Sequence, residues 1–157
     1  MPRATGILDR FAVLIATVFG AGYSPFAPGT VGSAVTVALL WLIPFSRAGL
    51  LLFLVAVVVV GTWAAHRAER TIGGKDPGAI VIDEVAGMTL SVVAFPLTPA
   101  VLLVGFVLFR VFDVVKPPPA RESQRIKGGV GVMIDDLIAG LYALAIIALS
   151  RWLLGWP

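Results

Sequence analysis

Residues 132–140 read VMIDDLIAG, and residues 80–88 read IVIDEVAGM. Each stretch places two adjacent carboxylates inside an otherwise apolar run, Asp135 with Asp136 and Asp83 with Glu84. An ionised carboxylate in apolar surroundings is costly unless it is ion-paired, hydrogen-bonded or bound to a metal ion. The two stretches therefore predict a chain that folds in an apolar environment and a site that compensates buried negative charge.

The composition of the chain indicates a membrane protein. Of its 157 residues, 59% are hydrophobic and 13% are charged, and the mean hydropathy is +0.99, whereas a soluble domain carries about 25% charged residues. The length suits one membrane-embedded domain over residues 1–157. The net charge of +3 is small and the basic residues are spread over short loops, so we expect no nucleic-acid partner. The sequence has no cysteine, which excludes disulfides, thiolate metal ligands and a cysteine nucleophile.

Five apolar segments predict an all-α, polytopic membrane helical bundle with about five spanning helices. The segments cover residues 34–45, 50–65, 85–95, 101–115 and 137–154. Several are shorter than the ~20 residues that cross a bilayer unaided, so flanking residues must extend them. Breaks at 46–47 and 96–99 indicate helical hairpins. A further segment, 7–20, carries Asp9 and Arg10 and is predicted to be an interfacial or re-entrant N-terminal helix.

The distribution of basic residues predicts the orientation in the membrane. When the chain is threaded through these five spans, one side holds eight Lys or Arg residues and the other side holds two. The eight are Arg67, Arg70, Lys75, Arg110, Lys116, Arg121, Arg125 and Lys127, and the two are Arg47 and Arg151. Because basic loops stay in the cytoplasm, the crowded side is predicted to be cytoplasmic.

Five carboxylates fall on that same face, each at a predicted helix end: Asp83, Glu84, Asp113, Asp135 and Asp136. A single Asp at the start of a helix is equally well explained as a cap for free backbone N–H groups. Capping does not explain five carboxylates on one surface, because groups so close repel each other unless cations neutralise them. Oxygen donors, with no cysteine and one histidine in the chain, suit a hard ion such as Mg²⁺. All five are therefore predicted metal ligands.

The stretch FRVFDVVKPPPAR, residues 109–121, adds positive charge. Arg110, Asp113 and Lys116 are spaced three residues apart and so share one helix face. In one interpretation Asp113 joins the metal cluster while Arg110 and Lys116 bind an anionic substrate, with Arg121 presented to the same site. The alternative is a solvated last turn, with ion pairs inside the helix or side chains that extend to the headgroups.

Two glycine-rich segments precede predicted helices. In GYSPFAPGTVGS, residues 22–33, Thr30 and Ser33 are predicted to cap the following helix, whose N-terminus favours anions. The GGVG segment at 128–131 is predicted to be a loop, either a flexible turn or a close backbone approach to a ligand. Taken alone, each segment is also typical of an ordinary turn.

Together these motifs resemble the phosphatidylglycerophosphatase A family of bacterial membrane phosphatases. Four blocks carry the resemblance in order: SP, APGT and GS within 24–33, the acidic stretch at 80–87, FR, FD and KP within 109–117, and GG, GVM and DD within 128–136. The resemblance implies Mg²⁺-dependent hydrolysis of phosphatidylglycerophosphate to phosphatidylglycerol and phosphate. It also implies a multi-pass protein of the bacterial inner (plasma) membrane with its active site facing the cytoplasm.

The resemblance further implies roles for individual residues. The expected catalytic residues are Asp83, Glu84, Asp113, Lys116, Asp135 and Asp136, and the expected substrate-binding residues are Arg110, Lys116, Arg121, Ser24 and Thr30. The expected partners are the phospholipid substrate and the membrane, and a homo-oligomer is compatible with both.

Two other functions stay open on the residues alone. A phosphatidyltransferase of the CDP-alcohol type is also an acidic, Mg²⁺-dependent membrane enzyme, but its long aspartate signature is not present in this sequence. A small transporter or channel would use the acidic cluster as a cation path, which predicts charges in mid-span rather than at helix ends. Among phosphatases, the lack of cysteine, the single histidine and the lack of an Asp-x-Asp pair favour metal-assisted hydrolysis.

Overall fold

The computed structural model describes residues 6–74 and 77–155. These residues form seven α-helices and a short 3₁₀ turn without any strand, so the predicted all-α class is confirmed for the described chain. In chain order the helices are α1 (Ile7–Ala16), α2 (Pro28–Leu42), α3 (Arg47–Ile72), α4 (Ile82–Val92), α5 (Pro99–Val115), α6 (Ala120–Ser123) and α7 (Gly129–Leu154), and the 3₁₀ turn, Ala21–Tyr23, precedes α2.

Helices α3 and α7 are the two in the described ranges that are long and apolar enough to span a membrane, with 26 residues each. At 1.5 Å per residue each is about 39 Å long, which exceeds the ~30 Å hydrocarbon core of a bilayer. Only 28% of the apolar stretch of α3 is buried, which is not the pattern of a core helix in a soluble protein. Helices α2, α4 and α5 have 15, 11 and 17 residues. The number of about five spanning helices therefore stays a prediction.

The N-terminal helix α1 has two different faces. One face packs on α3, where Asp9 Oδ1 accepts a hydrogen bond from Arg67 Nη1 at 2.9 Å. The other face exposes Ile7, Leu8 and Phe11. An exposed apolar face beside charged anchors is typical of a helix that lies in the membrane interface. The helix ends four residues before the predicted boundary at residue 20, and its interfacial placement stays a prediction.

Helices α2 and α7 begin earlier than the apolar segments that predicted them. Helix α2 begins at Pro28, whose fixed φ suits the first helical position. Helix α7 begins at Gly129, which packs so closely on α3 that a Cβ would overlap the carbonyl oxygen of Thr62. The predicted loop at 128–131 is therefore the start of α7, and its close contact is with protein backbone.

Hydroxyl side chains begin the helices that follow the two predicted breaks. The Ser46 hydroxyl accepts a hydrogen bond from Gly49 N–H at 3.0 Å at the start of α3. The Thr98 hydroxyl accepts one from Val101 N–H at 3.3 Å at the start of α5. Each cap satisfies a backbone donor that the first turn of a helix leaves without a partner. The breaks at 46–47 and 96–99 are confirmed, and α4 packs against α5 as a hairpin, whereas α2 and α3 hardly contact each other in the described chain.

Helix α4 lies at the centre of the bundle. It packs against α2, α3, α5 and α7, and ten of its eleven residues are buried. Where it meets α7, a Cβ on Gly87 would lie 2.6 Å from the carbonyl oxygen of Asp136, and a Cβ on Gly140 would overlap the carbonyl oxygen of Gly87. Small residues allow such close backbone contact between membrane helices. The crossing brings the first turn of α4 beside Asp136.

Candidate active site

The first acidic pair lies in the first turn of α4. Asp83 and Glu84 follow Val81, whose backbone N–H donates to the carbonyl oxygen of Ala16 at 2.9 Å. This hydrogen bond ties the start of α4 to the end of α1. Both carboxylates are buried, and the N-terminus of a helix favours negative charge. The predicted position at a helix end is confirmed for this pair.

The second acidic pair lies deeper than predicted. Asp135 and Asp136 are the seventh and eighth residues of α7, and they are 4% and 2% exposed. The expectation that they begin a helix is wrong, because α7 already begins at Gly129, six residues before Asp135. Since helix-end effects fade within the first turn, neither capping nor the helix dipole explains these two carboxylates.

Three carboxylates from two helices form an acidic triad: Asp83, Glu84 and Asp136. Each contributes one oxygen, and these three oxygens all lie within 4.8 Å of one another. All three side chains are buried. Among the described residues, this is the group whose arrangement suits a metal ion with oxygen ligands.

A basic and acidic cluster lies beside the triad at the end of α5. Asp113 accepts from both neighbouring cations, through Oδ2 from Arg110 Nη1 at 2.6 Å and through Oδ1 from Lys116 Nζ at 2.9 Å. Arg110 and Asp113 share one face of α5 as predicted, and Lys116 reaches Asp113 from just past the end of the helix. Arg110 Nη1 also lies 3.8 Å from Glu84 Oε1, so the cluster reaches the triad.

Lys116 links α5 to the second acidic pair. Its φ of 47° lies in the left-handed region, which is strained for a lysine. Its Nζ donates to Asp135 Oδ2 at 2.6 Å and lies 3.7 Å from Asp136 Oδ1. Burial lowers the pKa of the ammonium group, but the hydrogen bond to Asp135 and the charges of Asp136 and Asp113 outweigh burial, so the pKa of Lys116 is raised. Lys116 is therefore a fixed positive charge.

All of these side chains line one cleft of about 270 Å³. Its wall also includes the backbone at the start of α2, residues 27–29. Gly29 is needed there, because a Cβ would overlap the Glu84 carboxylate and lie 3.0 Å from Arg110 Nη1. Segments of α2, α4, α5 and α7 that the threading placed on one face of the membrane thus converge on a single cleft.

Comparison with known protein families matches residues 14–151 to the family described as Phosphatidylglycerophosphatase A. The chain belongs to the phosphatidylglycerophosphatase A family. The family match covers every residue that lines the cleft, and it confirms the resemblance that the four sequence blocks suggested.

Three curated relatives cover nearly the whole chain. A phosphatidylglycerophosphatase A of Escherichia coli is 36% identical over 147 residues, which are 90% of this chain and 86% of the relative. A phosphatidylglycerophosphatase A of Haemophilus influenzae is 35% identical over 147 residues, 90% of each chain. A Bacteroides thetaiotaomicron protein that is provisionally named phosphatidylinositol-3-phosphatase is 43% identical over 155 residues, 91% of this chain and 95% of the relative. No solved structure matches the chain.

Three predicted substrate contacts are not among the residues that line the cleft in the described chain. The Ser24 hydroxyl donates to the carbonyl oxygen of Phe26 at 3.0 Å, Thr30 is half-buried in the first turn of α2, and Arg121 is exposed on α6. Their role in substrate binding stays a prediction.

The predicted capping of α2 is wrong. The residue before the helix is Ala27, with a left-handed φ of 43° and no side-chain cap. Thr30 and Ser33 already lie inside the helix that Pro28 begins, and the Ser33 hydroxyl donates to the carbonyl oxygen of Gly29 at 2.8 Å.

A polar side chain that bonds to the site was also not predicted. The Gln124 side-chain amide donates to Asp135 Oδ2 at 3.2 Å, the same oxygen that accepts from Lys116. A single glutamine in a polar segment gives no sequence signal of such a role. Its position depends on how α6 packs on α7, which is a tertiary property.

The cleft has an excess of negative charge and of unused oxygen atoms. Five carboxylates and two cationic side chains line it, so three more groups are acidic than basic (five minus two) in the described residues. Glu84 Oε2, Asp135 Oδ1 and Asp136 Oδ2 are buried without a hydrogen-bond partner in the described ranges. Buried oxygens of this kind are costly and normally have a ligand. The arrangement fits one or more bound cations.

Proposed function

We propose that this chain hydrolyses the terminal phosphate monoester of phosphatidylglycerophosphate, with Mg²⁺, at the cytoplasmic face of the membrane. Water is consumed, and phosphatidylglycerol and inorganic phosphate are released. The observation that carries the proposal is the acidic triad of Asp83, Glu84 and Asp136 in one cleft with Arg110 and Lys116. The names of the Escherichia coli and Haemophilus influenzae relatives support the choice of substrate.

The residues of the triad are those that we expect to hold Mg²⁺. Their donors are all carboxylate oxygens, which hard ions prefer, and Glu84 and Asp136 each bring a buried oxygen without another partner in the described chain. Asp113 and Asp135 are proposed as further ligands, although each already accepts from Lys116. When bound, Mg²⁺ neutralises carboxylate and phosphate charge and polarises the phosphorus–oxygen bonds.

The side chains of the chain itself would bind and orient the phosphate. Arg110 and Lys116 are the two cations of the cleft, and both are held by Asp113. A guanidinium and an ammonium that are fixed before the substrate arrives can stabilise the negative charge of a transferring phosphoryl group without further reorganisation. Asp113 is therefore a positioning residue for both, in addition to its proposed role at the metal.

The direct test of this proposal is phosphate release by the purified protein. With phosphatidylglycerophosphate in mixed micelles, we expect release in the presence of Mg²⁺, loss of release on addition of EDTA, and recovery when Mg²⁺ is restored in excess. Release that is unchanged by EDTA would contradict the metal-dependent mechanism. No release under any of these conditions would contradict the proposed substrate.

Phosphatidylinositol 3-phosphate is a second candidate substrate, because the Bacteroides thetaiotaomicron relative is provisionally named for it. Both lipids present a phosphate monoester, which is the group that the cations of the cleft suit. The same assay with both lipids decides between them, and we expect a higher kcat/KM with phosphatidylglycerophosphate.

The cytoplasmic orientation predicts which added cysteines are protected in intact cells. The native chain has no cysteine, so labelling has no background from the protein. Glu122 is exposed on α6, and Ala48 is exposed at the end of α3 opposite to Arg67 and Arg70. Neither change removes a basic residue. We expect an impermeant maleimide to label Ala48→Cys in intact cells, and Glu122→Cys only after lysis. The reverse labelling pattern would show the opposite orientation in the membrane.

Lys75, one of the eight basic residues on which the predicted orientation rests, lies outside the described residues.

A further inference from the structure

An apolar groove runs along the outer surface of the bundle between α2 and α5. Its volume is about 310 Å³. The side chains that line it are apolar, with Ala34, Val37 and Trp41 on α2 and Leu102, Leu103 and Phe106 on α5. Trp41 is 55% exposed and Leu103 is 63% exposed, so the groove opens to the surroundings of the bundle.

The groove lies along α2 and α5, two of the helices that also line the active-site cleft, although groove and cleft share no lining residue. At the cleft, Gly29 of α2 faces Arg110 of α5, because a Cβ on this glycine would lie 3.0 Å from Nη1 of the arginine. Ala34 lies five residues after Gly29 on α2, a rise of about 7.5 Å along the helix axis. Phe106 lies four residues before Arg110 on α5, a rise of about 6 Å. Ala34 and Phe106 both line the groove, so they lie at a similar level along the bundle. The groove therefore begins about one helical turn below the phosphate-binding cations.

The direction of the groove matches that of a lipid chain. From Ala34 to Trp41 the groove extends about 10 Å along α2, away from the charged cleft. A phospholipid whose phosphate is held at Arg110 and Lys116 must direct its acyl chains towards the middle of the bilayer. The groove is an apolar concavity that extends in that direction.

We propose that this groove binds one acyl chain of the lipid substrate and thereby sets the position of its headgroup in the cleft. This inference rests on the proposed function, because the ligand of the groove is assumed to be a diacyl lipid that carries a phosphate monoester. Lipid tails are as apolar as the groove, so transfer from bilayer to groove supplies little hydrophobic free energy. The groove acts through orientation of the substrate, where small displacements have large effects on rate.

Photo-crosslinking tests occupancy without turnover. The probe is a diacyl lipid with a diazirine in one acyl chain and a phosphonate in place of the terminal phosphate ester, which resists hydrolysis. The control probe has the same chains and a phosphocholine headgroup. In wild-type protein in phosphatidylcholine vesicles, we expect the phosphonate probe to label segments 34–41 and 99–106 about tenfold more than the control probe does. Equal labelling by both probes would show only bulk lipid in the groove and would overturn the proposal.

A substitution in the groove tests its effect on the reaction. Ala34→Trp places an indole at the end of the groove nearest the cleft, and Ala145→Trp is the matched control at an exposed position on α7. We expect Ala34→Trp to lower kcat/KM for the diacyl substrate by about tenfold. The same variant should hydrolyse the headgroup without acyl chains at the wild-type rate. Ala145→Trp should hydrolyse both substrates at the wild-type rate. Equal losses with both substrates would overturn the proposal.

Further results separate this proposal from its alternatives. If Ala34→Trp fails to fold, Leu103→Trp at the middle of the groove replaces it in the same comparison. Efficient disulfide formation between two copies of Leu103→Cys, in the presence of the phosphonate probe, would show that a second copy covers the groove and would overturn the proposal. Wild-type protein that labels selectively in the groove but releases no phosphate would contradict the proposed function and not the groove.

Discussion

Asp136→Asn is expected to lower kcat for phosphate release by about a thousandfold or more, and Asp83→Asn and Glu84→Gln are expected to do the same. A catalytic metal ion supplies several kcal/mol of charge stabilisation, and each 1.36 kcal/mol corresponds to a factor of ten in rate. The three side chains form the triad whose oxygens lie within 4.8 Å of one another. Each substitution keeps the shape of the side chain and removes one negative charge from the proposed metal site.

The matched control for the triad is Asp9→Asn. Asp9 is a carboxylate in an ion pair with Arg67, on α1 and outside the cleft, so its loss is expected to leave kcat within a factor of about two, as for a surface ion pair. Circular dichroism and size-exclusion chromatography of all four variants report whether the fold is intact. Wild-type rates for the three triad variants at limiting Mg²⁺ would exclude a metal site at the triad.

Lys116→Ala is expected to lower kcat/KM by about a hundredfold, by analogy with the loss of one transition-state donor. Lys116 is held by Asp113 at 2.9 Å and by Asp135 at 2.6 Å, so its ammonium group is already in place for the phosphate. Added Mg²⁺ is expected not to restore the rate. Removal of a neighbouring positive charge should leave metal affinity the same or higher, so the Mg²⁺ concentration for half-maximal rate should not rise.

Two lysine variants serve as controls for this result. Lys116→Arg keeps the charge but not the compact geometry of the ammonium group, so only partial recovery is expected. Lys127→Ala removes an exposed lysine outside the cleft and is expected to have no effect on kcat/KM. Near-wild-type activity of Lys116→Ala would show that Lys116 only pairs with Asp113 and Asp135 and does not bind the phosphate, and would leave Arg110 as the main phosphate contact.

The sequence predicted the convergence of the acidic residues because convergence follows from topology. Threading the apolar segments places the start of α4, the end of α5 and the start of α7 on one face, and the cleft lies where these segments meet. Short-range signals were equally informative: Ser46 and Thr98 begin helices at the predicted breaks. The spacing of Arg110, Asp113 and Lys116 predicted that these side chains meet, which their ion pairs confirm, although Lys116 lies just past the end of α5.

The parts that the sequence did not predict depend on contacts between distant segments. The depth of Asp135 and Asp136 in α7 depends on the approach of Gly129 to Thr62, which no local pattern reports. The hydrogen bond from Gln124 depends on the packing of α6. The choice of three triad members among five carboxylates depends on the angle and distance at which α4 crosses α7. Sequence patterns indicate periodicity along one helix, and they do not give such distances.

The glycine crossing of α4 and α7 implies a trade-off between stability and function. The repulsion of the acidic triad opposes the pairing of these helices, because Asp83 and Glu84 lie on one and Asp136 on the other. Backbone contact at Gly87 and Gly140 acts against that repulsion and needs no ligand to do so. The geometry of the site is therefore preorganised by helix packing, as efficient catalysis requires. Some stability is given up to hold like charges together, which is a common cost of an active site.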